Sequence, residues 1–262
     1  MPPATTRLKP DAAHPARRSR PQQVAEAIKD WVMDQGLQPG DRLPSESELI
    51  ARFAMAKGTI REAVRILEAQ GLVKSRTGPG GGVFVHQVSE ARAAALLGNY
   101  FYFQQPSIDD IYALREVLEP ELAASLAGTL SEVQLARLEA VMSDYDAPAE
   151  TEAEEAAQHV ASLRFHAELA EFSGNPLLRF LIRFTVRLLS EITVNRQLYS
   201  PPNRQLWESG KNYQAQLLRA LRDGDRTAAR EVLSAHMRNA HRLMKSQEAA
   251  VTRRFLTEGP LR

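Results

Sequence analysis

The chain contains no cysteine. Disulfides and thiolate chemistry are thereby excluded, and a reducing compartment is compatible with it. It also has no hydrophobic run fit for a bilayer, because its most apolar stretch, 177–189, is interrupted by Arg179, Arg183 and Arg187. The N-terminus lacks the apolar core of a secretory signal. A cytoplasmic protein with no membrane partner is expected. Beyond residue 88 there is no strand alternation, and no internal repeat occurs.

The residues present are those of a globular chain. At 262 residues there is room for two domains, and 44% hydrophobic content supports real cores. Net charge is +1 but unevenly spread: residues 1–88 hold 13 Lys/Arg against 9 Asp/Glu, and the remainder 20 against 23. A basic first third joined to a mildly acidic remainder fits a nucleic-acid module attached to a sensing or assembly module. The expected divisions are a disordered basic arm (1–20), a DNA-binding domain (21–88), a linker helix (89–106), a helical domain (107–250) and a tail (251–262). Arg17, Arg18 and Arg20 of the arm could add sequence-blind phosphate contacts.

Residues 44–71, PSESELIARFAMAKGTIREAVRILEAQG, contain two short helical patterns. Ser45 caps the first, with Glu48 reaching back from the third position. The second, from Lys57, sets Ile60, Ala63, Val64 and Leu67 at core spacing and Lys57, Arg61 and Arg65 in one outer row. Such a row can be a solvated face. The next segment favours another reading, because residues 72–76 and 83–86 form a hairpin across Thr77-Gly78-Pro79-Gly80-Gly81-Gly82. Helix, helix and glycine-tipped hairpin is the plan of a winged helix-turn-helix, in which the second helix enters a major groove and the wing lies on the backbone or in the minor groove. A tip of glycine lets main chain approach phosphate closely.

Residues 21–86 resemble the DNA-binding domain of the GntR family of bacterial repressors, through LPSESEL, AMAKGTIREAV and ILEAQGLV. The resemblance implies DNA contacts from Ser45, Ser47, Lys57, Thr59, Arg61 and Arg65, and from Arg76, Gly80, Gly81 and Gly82 of the wing. Two positions depart from the family pattern. Ser47 replaces a DNA-contacting arginine, and Ala56-Lys57 replaces a serine–arginine pair, with loss of a helix cap worth about 1 kcal/mol.

The remainder spells seven helices, so the fold class expected is mostly α: a winged helix-turn-helix with a small β-hairpin wing, then an all-α antiparallel bundle. The aromatic run 100–103 reads as packing between domains, or as a stacking surface for a ligand. Polar residues on apolar stripes are the informative ones. Arg115 lies in line with Ile111, Leu118 and Leu122, and needs an anion. Either Glu119, one turn on, or a ligand carboxylate can supply it. Ser162 and His166, Gln214, and His236 sit on the inner faces of three further helices, suggesting a shared polar cavity.

Residues 107–245 resemble the FCD ligand-binding domain of the FadR subfamily, through DIYALREVLEPELAA, FHAELAEFSGNPLL and LLRALRDGDRTAAREVLSAHM. Many such domains hold a divalent metal with one aspartate and three histidines, completed by a small organic acid. His166 and His236 match two of those ligands, whereas the other two positions are Ser162 and Gln214. His159 and His241 are not placed to substitute. No metal cofactor is expected, and one, if held, would fall to His166 and His236.

The function implied is a homodimeric regulator that binds double-stranded operator DNA and answers to a small-molecule effector, an organic acid or an acyl-CoA. A DNA-binding protein without effector is the alternative. A metal-dependent hydrolase lacks a carboxylate paired with the histidines and any nucleophile motif, and an aminotransferase fusion would be far longer.

Overall fold

The computed structural model describes residues 18–200 and 202–258. Most of the basic arm, Arg17 included, and the end of the tail lie outside the described residues. The chain divides into two compact units between Ala93 and Ala94.

The first unit comprises α1 (Arg20–Asp34), α2 (Glu46–Phe53), α3 (Lys57–Gln70), β1 (Val73–Arg76) and β2 (Gly82–Val85). Ser19 caps α1 in a box with Gln22, so the helix begins one residue inside the stretch expected to be a free arm. The Ser45–Glu48 box caps α2 as expected. Ala56 stands at the head of α3 with no side-chain cap, and Gly71 ends that helix at φ +81°. A Cβ there would also lie 2.9 Å from Val88 Cγ2. The core is Ile28, Leu43, Leu49, Ile60, Leu67 and Val73.

β1 and β2 pair antiparallel, Val73 opposite Val85 and Arg76 opposite Gly82. A third segment joins them. Arg42 bridges Phe84, Leu43 N–H donates to Val83 O at 2.8 Å, and Val85 N–H donates to Asp41 O at 2.8 Å. The wing is therefore anchored on both sides of β2 rather than standing as a lone hairpin, which is marginal by itself.

The second unit holds most of α4 (Glu90–Gln104), then α5 (Ile108–Leu126), α6 (Glu132–Ser143), α7 (Glu152–Glu171), α8 (Pro176–Asn195), α9 (Arg204–Asp223) and α10 (Arg226–Glu258). α10 packs on α5 and α9, and α7 on α6 and α8. Leu122, Phe165, Leu169, Ile182, Leu189, Leu217 and Leu233 fill its core.

One detail differs from the sequence pattern. α10 runs to Glu258, past residue 248, so the expected tail is partly helix. A capping box of Ser131 with Gln134 starts α6. On α8 the buried residues are Ile182, Phe184, Thr185, Val186, Leu189 and Thr193, while Leu177 is exposed. Phe101 packs against Phe184 at 5.7 Å within this unit, but Tyr102 and Phe103 are exposed. Among the described residues no helix is long and apolar enough to cross a membrane.

Candidate functional site

Two surfaces carry the polar chemistry, one in each unit. In the first, Lys57 and Arg61 share a face of α3 as expected, but neither is a bare cation. Glu46 lies 3.2 Å from Lys57 Nζ through Oε1, and accepts from Arg61 Nε at 2.7 Å through Oε2. Arg65, the most exposed of the row, pairs with Glu62 at 3.4 Å. Thr59 is half-buried, and the Ser45 and Ser47 hydroxyls touch at 3.0 Å on the exposed start of α2.

The wing is tied to the same helix. Glu68 of α3 accepts from Ser75 N–H at 2.9 Å and from the Ser75 hydroxyl at 3.2 Å. Arg42, which the sequence did not single out, donates to Gly81 O at 2.6 Å. A Cβ at Gly82 would fall 2.7 Å from its Nε, so a side chain there would have to displace the guanidinium. Arg76 lies over the Phe84 ring at 4.5 Å. Gly80 is open and takes φ +76°, a conformation that suits only glycine without strain. α3, the hairpin and the start of α2 thus line one concave face, an open groove of about 410 Å³.

In the second unit, Arg115, Ser162, His166, Gln214 and His236 all line one cavity of about 50 Å³, so the expected convergence from α5, α7, α9 and α10 is what the fold produces. The Arg115 guanidinium, 1% exposed, meets Glu119 as Nε donates to Oε1 at 2.5 Å. Of the two anions left open by spacing, the neighbouring glutamate is therefore present. Glu119 does more than expected, because its Oε2 lies 2.6 Å from His166 Nδ1. Burial pushes this carboxyl up, but the Arg115 guanidinium and the hydrogen-bonded His166 ring outweigh it and hold it down at about 2. His166 Nε2 then faces His236 Nε2 at 3.3 Å. Burial, then the neighbouring His166 and Arg115, keeps His236 well below the usual imidazole range and hence neutral.

The remaining donors are committed elsewhere. Tyr145 O–H donates to Gln214 Oε1 at 2.5 Å, and Ser162 O–H donates to His159 O at 2.8 Å. Trp207 Nε1–H holds the Tyr145 carbonyl at 2.9 Å, fixing that loop. Three buried atoms of this lining, Arg115 Nη2, His236 Nδ1 and Gln158 Oε1, find no partner among the described residues. His159, set aside as two turns from His166, nonetheless lines the same cavity. Among the described residues no group of three or more His, Cys, Asp or Glu is placed to hold a metal ion.

Tyr145 and Trp207 were missed by sequence reasoning, since Tyr145 lies in a loop with no periodicity to flag it. Glu119 on His166 also corrects the expectation that no carboxylate accompanies the histidines. It does not make a catalytic pair: Arg115 binds the same carboxylate, which is too weak a base when held at about 2.

Comparison with known proteins agrees with this division. The family model for bacterial regulatory proteins of the gntR family matches residues 21–85, and that for the FCD domain matches residues 110–239. The HTH-type transcriptional regulator LutR of Bacillus subtilis is 28% identical over 78% of this chain and 91% of its own length. The HTH-type transcriptional repressor NanR of Citrobacter rodentium is 26% identical over 85% of this chain and 84% of its own. A solved GntR structure from Streptococcus agalactiae shares the fold with a TM-score of 0.56 at 22% identity, covering 85% of this chain and 99% of that one.

Proposed function

Since this chain belongs to the GntR family of bacterial regulators and carries an FCD domain, a transcription regulator and not an enzyme, we propose that it is an effector-responsive repressor. It works in the cytoplasm as a homodimer, and each winged domain reads one half of a palindromic operator. Matching twofold symmetry in protein and DNA sets the half-sites about 34–36 Å apart, or a multiple of that. Ser45, Ser47, Lys57, Thr59, Arg61 and Arg65 face the major groove. Arg76 and Gly80 to Gly82 follow the backbone beside it.

One observation carries the effector half of this reading. Four helices bring a guanidinium, two imidazoles, an amide and a hydroxyl to a single cavity, with Arg115 Nη2, His236 Nδ1 and Gln158 Oε1 unpartnered there among the described residues. Buried polar atoms without partners are costly unless a ligand or water meets them. A guanidinium donor suits a carboxylate, and a cavity of about 50 Å³ suits a small organic acid better than the acyl chain of a CoA ester. The donor set does not fit a transition metal. The two imidazole nitrogens could share one, but Ser162 and Gln214 add no anion and their oxygens are engaged. The effector is therefore held by the protein's own hydrogen-bond donors.

An effector can act only by binding one arrangement of the DNA-binding domains better than another. Thermal melting with a panel of small carboxylates and acyl-CoA esters, each with and without promoter DNA, tests this. A stabilising acid whose effect changes when DNA is present supports it. Equal stabilisation with and without DNA contradicts coupling, and no stabilisation by any compound favours a regulator without effector.

A further inference from the structure

Glu46 is the first residue of α2, yet its carboxylate is spent on α3. One oxygen reaches Lys57 Nζ at 3.2 Å, and the other takes Arg61 Nε–H at 2.7 Å. Lys57 and Arg61 are one helical turn apart, so a single carboxylate can span both. Glu46 and Arg61 are both among the walls of the groove between α3 and wing. Acidic residues belong at a helix start for the sake of its dipole, and α2 also has Glu48 in its first turn. Dipole stabilisation, however, asks for no contact with a neighbouring helix.

We propose that Glu46 is a specificity-determining positioning residue, which presents the outer edge of Arg61 to a base while cancelling charge that would otherwise attract any phosphate. This rests on the DNA-binding function proposed above. Geometry and sign both support it. A guanidinium carries five N–H groups, and Glu46 takes the one on Nε, leaving those on Nη1 and Nη2 for another acceptor. Those remaining donors match the N7 and O6 acceptors of guanine. A base edge is uncharged, so Arg61 can meet it without leaving Glu46. A phosphate is an anion, and close approach to Lys57 or Arg61 brings it against the carboxylate. The same contact therefore favours base reading and opposes sequence-blind binding, which is discrimination by a built-in repulsion. Arg65, paired only with Glu62 of its own helix at 3.4 Å among the described residues and 76% exposed at the side chain, is left as the sequence-blind cation of the row.

The test compares two duplexes in full-length dimer. One is recovered by repeated selection from a random pool with wild-type protein, and the other is a scrambled version of the same length and composition. Affinities are measured by fluorescence anisotropy across a potassium chloride series for wild type, Glu46→Gln, Arg61→Ala and the double variant. Melting curves establish that each is folded. Glu46→Gln should bind the scrambled duplex about tenfold more tightly and steepen its salt slope by about 1, the equivalent of one more phosphate. The selected duplex should gain nothing, so the specificity ratio falls about tenfold. In the Arg61→Ala background the Glu46 change should lower the ratio far less, since the effect runs through that arginine. Glu46→Asp, which keeps the charge, should leave scrambled-duplex affinity near wild type even if Glu46→Gln is unstable. A Glu46→Gln ratio within twofold of wild type with the same salt slope would overturn the proposal, as would a Glu46→Asp protein that gains scrambled-duplex affinity. If selection with wild type enriches no sequence at all, the DNA-binding reading itself fails, before any variant is compared.

Discussion

His166 Nε2 and His236 Nε2, on α7 and α10, lie 3.3 Å apart, with Glu119 on the far nitrogen of the first ring. Two imidazoles so placed could bind one ion, at ligand distances of about 2.0–2.1 Å. The positions that would complete such a site are Ser162 and Gln214, whose oxygens face a backbone carbonyl and a tyrosine hydroxyl. Untagged wild-type protein should therefore carry no stoichiometric zinc or nickel, and its melting temperature should not respond to either. Ser162→Asp with Gln214→His should gain metal-dependent stability of about 2.7 kcal/mol at a metal concentration 100 times its Kd. Elemental analysis and melting curves read both outcomes. A stoichiometric metal in wild type contradicts the metal-free pocket.

Glu119 makes stability depend on acid. Its carboxyl is held at about 2 in the folded protein against an ordinary value of 4.5. A depressed carboxyl stabilises the fold above its unfolded value, and that contribution disappears as pH falls from about 4.5 through about 2. Glu119→Gln leaves the Arg115 guanidinium buried without its counter-charge, and should cost about 3–5 kcal/mol at neutral pH. It should also flatten the acid limb of the stability curve in that window. Replacing the pair together, Arg115→Met with Glu119→Leu, should recover most of the loss. Urea unfolding between pH 2 and 7 checks all three.

The two α3 residues Lys57 and Arg61 show where sequence stops. Their spacing put them in one row, and the helix, its capless start at Ala56 and its end at Gly71 all came from local chemistry. That Glu46 would neutralise both depended on how α2 packs against α3, a tertiary relation with no periodicity to betray it. Arg115 was legible as a buried cation because a charge on an apolar stripe is anomalous in the pattern itself. Glu119 was legible as its partner at one turn, but its second bond, to His166 from 47 residues away, was not. Tyr145 gave no signal, being a loop residue whose role exists only through Gln214. The third edge of the wing was missed for a similar reason, since Arg42 lies in a segment too short to show alternation.

Tyr145 tests the architecture of the cavity. Tyr145→Phe removes the hydroxyl that donates to Gln214 Oε1 and should cost about 1–3 kcal/mol of stability. Affinity for promoter DNA in the absence of effector should be unchanged. The affinity of any stabilising acid should shift, because Gln214 is then free to turn. Calorimetric titration of the acid into both proteins compares them.

The wing can be tested at Gly81. A Cβ there would stand 2.6 Å from Arg76 O and 2.7 Å from Gly78 O, both backbone atoms that cannot step aside. Gly81→Ala should therefore reshape the tip and weaken operator binding about tenfold or more, the loss of contacts worth about 1.4 kcal/mol or more. The effector-induced melting shift should remain as in wild type, because the cavity belongs to the other unit. Loss of both together contradicts a separate role for the wing.

The most direct test of the whole account is the salt dependence of binding to the duplex upstream of the protein's own reading frame. Anisotropy titrations from about 50 to about 300 mM potassium chloride, a span over which phosphate contacts weaken sharply, should give a straight line of log affinity against log salt. The account predicts a steep negative slope, a species of about twice the 29.2 kDa chain mass on the DNA, and weaker binding to a scrambled duplex. A dimer that shows no salt-sensitive attachment to that duplex, or holds both duplexes equally at every salt concentration, contradicts it.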